Sequence, residues 1–517
     1  MANTISNRPL RRTCFHHAFP LKTISTAVAL VLSSSTFAAE WSIIPGLGVS
    51  ETYTDNVNLA PKPFAKSDYV TEISPSIVIV KTGRNLKVNV EESIQEIVYS
   101  DSSTASRFAN QLHATVKAEL INELFFIDSA ASESQQNISA FGAQPTNNIY
   151  ATNNRTNVRT FNFSPYLAHT FDTFAAAELR YAFDSVSAST GALATSHSDT
   201  TSFHVNSGPA FRLVGWGWQY SDHITHYPSA SSVRLESTAG NLSYLVLPAL
   251  KLTATFGYDR NDYPTLKKIS NGYSWTTGFA WTVDQRTSLV ASAGRRYYGD
   301  TFSLAATTRS RSAIWDVSYS DSVTTTQSQF GLPATINTSD YLNSLLSGTL
   351  SDPVQRQQAV NNIIQNAGLP SSLASSTNYF TNTVFLQKQL QASVAVISPK
   401  TTLVVSLFDV QREPLSAPQN TGISLSNDKT NQLGGSVVLG RRLTSQINAN
   451  ITLLASRVES LTSGRVDHTQ TLRLDLVKQF SAKLKGTLEL SRNQGDSNQA
   501  GIGYRANAIA GFFNVQL

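Results

Sequence analysis

Beyond roughly residue 40 the chain alternates apolar and polar side chains again and again, and this period of two restricts its fold more than any other feature. The clearest run sets Leu250, Leu252, Ala254, Phe256 and Tyr258 against Lys251, Thr253, Thr255, Gly257 and Asp259. The run after it sets Tyr273, Trp275, Thr277, Phe279 and Trp281 against Ser274, Thr276, Gly278 and Ala280. Leu112 to Leu120 and Ala175 to Phe183 repeat the pattern. Successive side chains of a strand point to opposite faces, so such segments are strands with an apolar environment on one side and a polar one on the other. Nothing in this region approaches the run of about eighteen apolar residues that a membrane-spanning helix needs. A chain that enters lipid without such helices must close its strands into a barrel to pair every backbone group.

The connections give a strand count. Short turns are expected at Lys81–Asn85, Ile121–Glu123, Ala168–Asp172, Val214–Gly215, Val246–Ala249, Thr282–Arg286, Arg309–Ser312, Ser398–Lys400, Arg441–Ser445 and Phe480–Lys483. Longer polar stretches such as Glu133–Arg155 and Glu413–Lys429 lie between them. Outer-membrane barrels alternate short periplasmic turns with longer outer loops in this way, and both chain ends are periplasmic. The expectation is an all-β, transmembrane, antiparallel up-and-down barrel of about 22 strands, within a range of roughly 18 to 24. Two places fit less well. Over Leu86–Tyr99 the phase of Leu86, Val88 and Val90 carries Glu92 and Glu96 towards lipid, so a bulge is expected there. The outer connection near Gly299 and Asp300 is very short. In the last strand Ile509, Phe513, Val515 and Leu517 share one phase, as lipid-facing residues should. Trp216, Trp218, Trp281, Tyr297 and Trp315 stand near strand ends, where interfacial aromatic girdles form.

Residues 1–38 have the order of a secretory signal peptide. Arg8, Arg11, Arg12 and Lys22 precede the apolar run Ile24–Leu32, and small residues follow up to Ala38 and Ala39. Cleavage after Ala38 leaves residues 39–517 as the barrel. All four of those basic residues go with the signal, which takes the formal charge from +5 to +1. No nucleic-acid-binding surface is implied. Cys14, the one cysteine, also precedes the cleavage site, so disulfides, thiolate metal sites and cysteine catalysis are excluded from the mature chain.

The chemistry is sparse. Twelve charged residues fall on the lumen-facing phase: Lys87, Glu91, Lys117, Glu119, Glu178, Arg180, Lys251, Asp259, Arg473, Asp475, Lys485 and Glu489. They either line a hydrated path or pair and fill it, and the similar number of each sign predicts no strong ion selectivity. The insertion 325–379 breaks the strand pattern. Within it Asp352 and Pro353 start a helix whose Val360, Ile363, Ile364 and Ala367 form a stripe, ended by Gly368 and Pro370. That helix either gates the mouth or caps its rim. Asp222, His223 and His226 could suggest metal ligands, but three polar residues at one strand end more commonly serve as solvated loop chemistry. No GxSxG or HExxH motif occurs. No cofactor is expected, and an enzymatic role would need a serine, a histidine and an acid gathered from separate strands.

The opening WSIIP (41–45), ETYTDNVNLAP (51–61) and SDYVTEISPSIVIV (67–80) resemble the start of the PEP-CTERM (exosortase) system-associated outer-membrane barrel proteins. Residues 295–326 and FTNTVFLQKQL (380–390) continue the resemblance, which spans nearly all of the mature chain. Related porin-like families share the Asp55–Asn56 turn and the Gly299 hairpin. The resemblance implies a Gram-negative outer-membrane location and an association with exopolysaccharide and biofilm-matrix export. It also implies lipid and lipopolysaccharide, the barrel-assembly machinery, exopolysaccharide and periplasmic export proteins as partners. It supplies no catalytic residues. Transport, polysaccharide anchoring without conduction and hydrolysis are the readings in that order. The first strand starts a few residues after the expected cleavage site, leaving no plug domain or periplasmic helical-repeat scaffold in the chain. Mass spectrometry of protein recovered from membranes should find Ala39 at the N-terminus; an intact Met1 would refute the signal assignment.

Overall fold

The computed structural model describes residues 41–101, 104–188, 195–228, 230–266, 269–331, 383–417 and 428–517. The strands are β1 (Trp41–Thr54), β2 (Asp68–Thr82), β3 (Leu86–Tyr99), β4 (Arg107–Ile121), β5 (Phe125–Asn137), β6 (Arg155–Phe171) and β7 (Ala175–Ala188). There follow β8 (Ser196–Ser207), β9 (Val214–Tyr227), β10 (Ala230–Leu247), β11 (Leu250–Asp262), β12 (Gly272–Asp284), β13 (Thr287–Arg296) and β14 (Gly299–Arg309). The rest are β15 (Ala313–Thr325), β16 (Val384–Ile397), β17 (Thr401–Pro414), β18 (Thr430–Arg442), β19 (Ile447–Ser460), β20 (Val466–Gln479), β21 (Leu484–Ser497) and β22 (Tyr504–Gln516). Each pairs with its neighbour in sequence, and β22 returns to β1, so the sheet is a closed 22-stranded antiparallel barrel. The helices among the described residues are α1 (Thr326–Gly331) and a single 3-10 turn at Lys62–Phe64. The expected signal peptide and the helix carrying Val360, Ile363 and Ile364 lie outside the described residues.

Alternation settles which side chains face outwards. Leu252, Phe256, Tyr258, Trp218, Trp275, Leu472, Leu474, Leu488, Leu490, Ile509 and Phe513 are exposed, while intervening residues such as Asp259, Asp475, Asn493, Ala506 and Ala510 are buried. The outward face is therefore an apolar belt suited to lipid. Trp218, Trp281 and Trp315 lie on it. Trp216 instead packs its ring against Phe174 and Phe211 at the short-turn end. Tyr297 departs from the girdle expectation, since it sits at an outer hairpin with its hydroxyl 3.4 Å from that of Tyr263.

The ten connections at the end where β1 begins and β22 ends run from two to six residues, and those at the other end from two to 58. Two of the expected turns are displaced. The first is at residues 172–174, because β6 runs on to Phe171 and Asp172 takes the left-handed conformation (φ 48°). The second is at 208–213, where Gly208 passes so close to Thr173 that a Cβ would lie 2.3 Å from its carbonyl oxygen. Pro209 then removes a ladder donor. The outer hairpin between β13 and β14 is also two residues early, with Tyr297 and Tyr298 forming it and Gly299 at φ 132°.

The bulge expected in β3 does not occur. Pairing with β2 and β4 continues without a register shift, opposing Glu92 to Ile77 and Leu112 and Glu96 to Ile73 and Phe108. A one-residue slip would have turned the buried Ile97 and Tyr99 outwards and lost the core they join. Both glutamates therefore keep the outward phase.

The seam is fastened from the ETYTDNVNLAP segment. Asn507 donates from its backbone N and its Nδ2 to the two oxygens of Asp55, each at 2.7 Å. Asn56 donates to the carbonyls of Ala60 and Arg505 and receives the Ala60 N–H, folding the loop after β1 over the join. Further round, Arg296 grips the buried Asp259 with two bonds of 3.0 and 2.5 Å. Removing one partner strands a charge away from water. Arg296→Met should destabilise the barrel by about 3 kcal/mol, read as a lower temperature for the heat-modified gel shift. An unchanged transition would mean that the pair contributes nothing.

Candidate functional site

The loop from Ile138 to Asn154, between β5 and β6, turns into the barrel. In the closed ring β20 is seven strands from β5 by the shorter way, so contact between them has to cross the interior. Gly142 N donates to Asp467 Oδ2 on β20 at 2.8 Å, and Gln144 N donates to the Tyr504 hydroxyl on β22 at 3.2 Å. Phe141 and Ala140 pack on Val458 of β19, and the Arg465 guanidinium lies 5.0 Å from the Phe141 ring centre. Asp467, Val458 and Tyr504 all lie on the inward phase of their strands.

Tyr150 is the centre of this arrangement. Fully buried, it packs with Val57, Leu59, Val70, Ile97, Tyr99, Ala109 and Ile149. Its hydroxyl accepts from Asn493 Nδ2 at 2.8 Å, and burial pushes its pKa up to about 12, so it stays neutral. The backbone beside it is equally well held. Tyr99 Oη donates to Ile149 O at 2.8 Å, Arg107 Nη2 to Tyr150 O at 2.7 Å, and Ala151 N to Val57 O at 2.9 Å. Asn154 then templates the loop, accepting from Ser139 N and donating to the carbonyls of Ser139, Phe141 and Ala143.

A second element enters from the opposite side. Helix α1, at the start of the long insertion, touches β6, β7 and β8 as well as β15. Its Ser328 hydroxyl is 3.2 Å from His223 Nε2 on β9, a ring that also meets Thr200 Oγ1 at Nδ1 and Thr225 Oγ1 at Nε2. Hydroxyls thus occupy both ring nitrogens. Among the described residues no carboxylate is hydrogen-bonded to this ring, although Asp184, Asp222 and Asp199 act on it electrostatically. Asp222, His223 and His226 do not converge either, because alternation sends His223 inwards and the other two outwards. Asp222 holds Arg234 through two bonds of 2.8 and 2.9 Å, while His226 stacks on His197 with ring centres 5.0 Å apart. Among the described residues no group of three or more metal-ligating side chains could hold an ion.

The twelve charged positions all fall on the inward phase, in separate groups. Arg180 joins Glu178 at 2.7 Å and Asp128 at 3.2 Å and lies flat on Tyr166, 3.7 Å from the ring centre. Arg473 bonds Asp475 at 3.1 Å, Glu489 faces Asp475 across the strands, and Lys485 lies beside them opposite Gln479. Lys87 faces Lys117, which in turn faces Asp128, and Glu91 faces His113. Lys251 is exposed opposite Leu245 and Ala280. Asp259 belongs to the Arg296 pair. Glu119 differs from the rest, because it accepts the Glu123 N–H at 2.7 Å and so braces a turn. Asp128, Tyr166, Arg296 and the whole 138–154 loop carry no motif. Only the length and polarity of Glu133–Arg155 marked the loop in the sequence.

No family model matches the chain, and no curated protein does. Solved structures similar to it include the siderophore receptor PirA of Pseudomonas aeruginosa, at 10% identity and a TM-score of 0.43, with 92% of this chain and 80% of that one covered. Others are the FrpB iron transporter of Neisseria meningitidis (9%, 0.48, covering 93% and 82%) and a ferric enterobactin receptor of Pseudomonas aeruginosa (10%, 0.47, covering 92% and 81%).

Because one side chain templates the inward loop, Asn154→Ala should loosen it at a cost of about 1–3 kcal/mol without unfolding the barrel. Limited proteolysis between residues 139 and 147 should speed up while the heat-modified gel shift is retained. Equal cleavage rates would show that Asn154 is not the template.

Proposed function

We propose that this chain is an outer-membrane barrel that passes or binds a hydroxyl-rich solute, with exopolysaccharide or its fragments as the class, through a lumen narrowed by its own inward segments. The observation that carries this reading is the crossing of the barrel interior by residues 138–154. A 22-stranded ring is too wide for wall side chains alone to fill, and natural barrels of that size hold a plug. Here the loop and α1 supply filling from within the wall. One stretch of the remaining wall is rich in polar side chains. Ser202, His204 and Asn206 of β8, Gln219 and Ser221 of β9, and Ser237 and Asn241 of β10 border a cavity of about 340 Å³. Hydroxyls and amides of this kind exchange hydrogen bonds with sugar hydroxyls at little net cost, and passage needs binding that is readily reversed. The resemblance of ETYTDNVNLAP and the segments around it to exosortase-associated barrels agrees with a matrix-polysaccharide role, with lipopolysaccharide, the assembly machinery and periplasmic export proteins as partners.

The second reading is an anchoring barrel that does not conduct. The many bonds holding the loop favour it, since an immobile loop closes the path. Planar-bilayer recording separates the two. Purified protein should give small channels blocked by added neutral oligosaccharide, and deleting residues 141–147 should enlarge them. Deleting the gene should leave polysaccharide in the periplasm. A silent wild-type barrel, with polysaccharide secreted at normal yield but shed from the surface, would refute passage and establish anchoring.

A further inference from the structure

Arg107 opens β4 and Arg155 opens β6, so both stand at the outer mouth where the 138–154 loop turns inwards. Their partners are neutral: Arg155 is hydrogen-bonded to a backbone carbonyl, and Arg107 to backbone carbonyls and the Tyr99 hydroxyl. Arg107 Nη2 donates to Asn148 O and Tyr150 O, and Arg155 Nη1 donates to Asn147 O. The Nε–H of each guanidinium is buried with no acceptor. The two cations act on one another, and the other titratable group that Arg155 feels is Tyr99, whose hydroxyl is committed to Ile149 O. Asp68 is the carboxylate near Tyr99; its Oδ1 is occupied by the Ser100 N–H, the Ser100 hydroxyl and the Asp101 N–H, its Oδ2 is buried without a hydrogen-bond partner, and it forms no ion pair with either arginine. Neither arginine takes part in an ion pair among the described residues, although Arg180, Arg234, Arg296, Arg465 and Arg473 all do.

Two like charges withdrawn from water at one spot are costly, and neutral carbonyls offset only part of that cost. A guanidinium presents its Nε–H and one Nη–H as a fork that fits the two oxygens of a carboxylate or phosphate. Both residues are partly rather than fully buried. We propose that Arg107 and Arg155 form a site for an oxyanion, the carboxylate or phosphate group of an acidic solute, at the root of the inward loop. This deepens the passage reading and rests on it for the identity of the solute as an acidic sugar. The site also couples binding to the loop, since the same guanidiniums hold the carbonyls of Asn147, Asn148 and Tyr150.

The test is a binding measurement that needs no conduction. Thermal unfolding of the purified full-length mature protein is followed with sodium glucuronate, inorganic phosphate or glucose. Glucuronate, phosphate or both should raise the midpoint while glucose does not, and the effective probe identifies the group taken. Arg155→Gln should weaken the response at least about tenfold, the loss of one charge-assisted fork. Arg155→Lys keeps the charge and loses the fork, so it should retain the fold and still bind several-fold more weakly. No response of the wild type to either oxyanion overturns the site, as does an equal response in wild type and Arg155→Lys. A barrel that conducts and is blocked by neutral oligosaccharide, yet ignores both oxyanions, would sink this site alone. One that binds oxyanion but never conducts would sink the passage reading alone.

Discussion

In lipid the backbone N–H and C=O groups of a strand have no partner except the neighbouring strand, and the sheet meets that demand only because β22 pairs back onto β1 from Gly46 to Thr54. The rest of the architecture depends on that closure. It leaves no open edge, it fixes which phase of every strand faces lipid, and it places the start of β1 and the end of β22 at the side of the short turns. The bonds of Asp55 to Asn507 and of Asn56 to Arg505 lie at the outer end of this seam. The segment ETYTDNVNLAP is therefore, in this fold, the clasp of the ring, with Asp55 and Asn56 holding β1 to β22.

Closure at 22 strands also creates an interior that the wall cannot fill. Two elements answer this from opposite sides, the loop after β5 and the helix after β15, and each is fastened to strands on the far side of the lumen. The loop takes its purchase from an apolar cluster around Tyr150 and from single polar side chains on β20, β21 and β22. The helix takes its purchase from the hydroxyl-bonded His223. Backbone that leaves the sheet inside the barrel has lost its ladder partners, so several of its polar groups depend on side chains to replace them. Arg107, Asn154 and Tyr99 serve in this way. Their placement explains why the mouth is rich in asparagine and tyrosine and why two arginines lie there among neutral partners.

Strand positions were legible because the lipid and the lumen impose opposite preferences on adjacent residues. Leu250–Tyr258 and Tyr273–Trp281 show this without ambiguity, and all twelve inward charges follow from it. Errors arose where a local signal competed with the pattern. The turn before Val214 was set by Gly208 passing close to Thr173, a contact made with the neighbouring turn and invisible along the chain. Glu92 suggested a bulge on its own chemistry, yet the register is held by Ile97 and Tyr99 at the other end of β3. Asp222, His223 and His226, set aside as metal ligands on the sequence, are separated by the pleat to opposite faces of the wall.

By itself the sequence determined the class of the fold, the approximate strand number and the facing of the strands whose alternation is plain. All of these follow from alternation, which is a property of neighbours along the chain. What lies inside the ring was decided by the tertiary structure alone. Residues 138–154 carry no periodic signal, and their partners Val458, Asp467, Asn493 and Tyr504 are more than 300 positions away. Only closure of the barrel brings those residues opposite one another, and only then do the loop, the His223 contact and the Arg107–Arg155 pair acquire their surroundings.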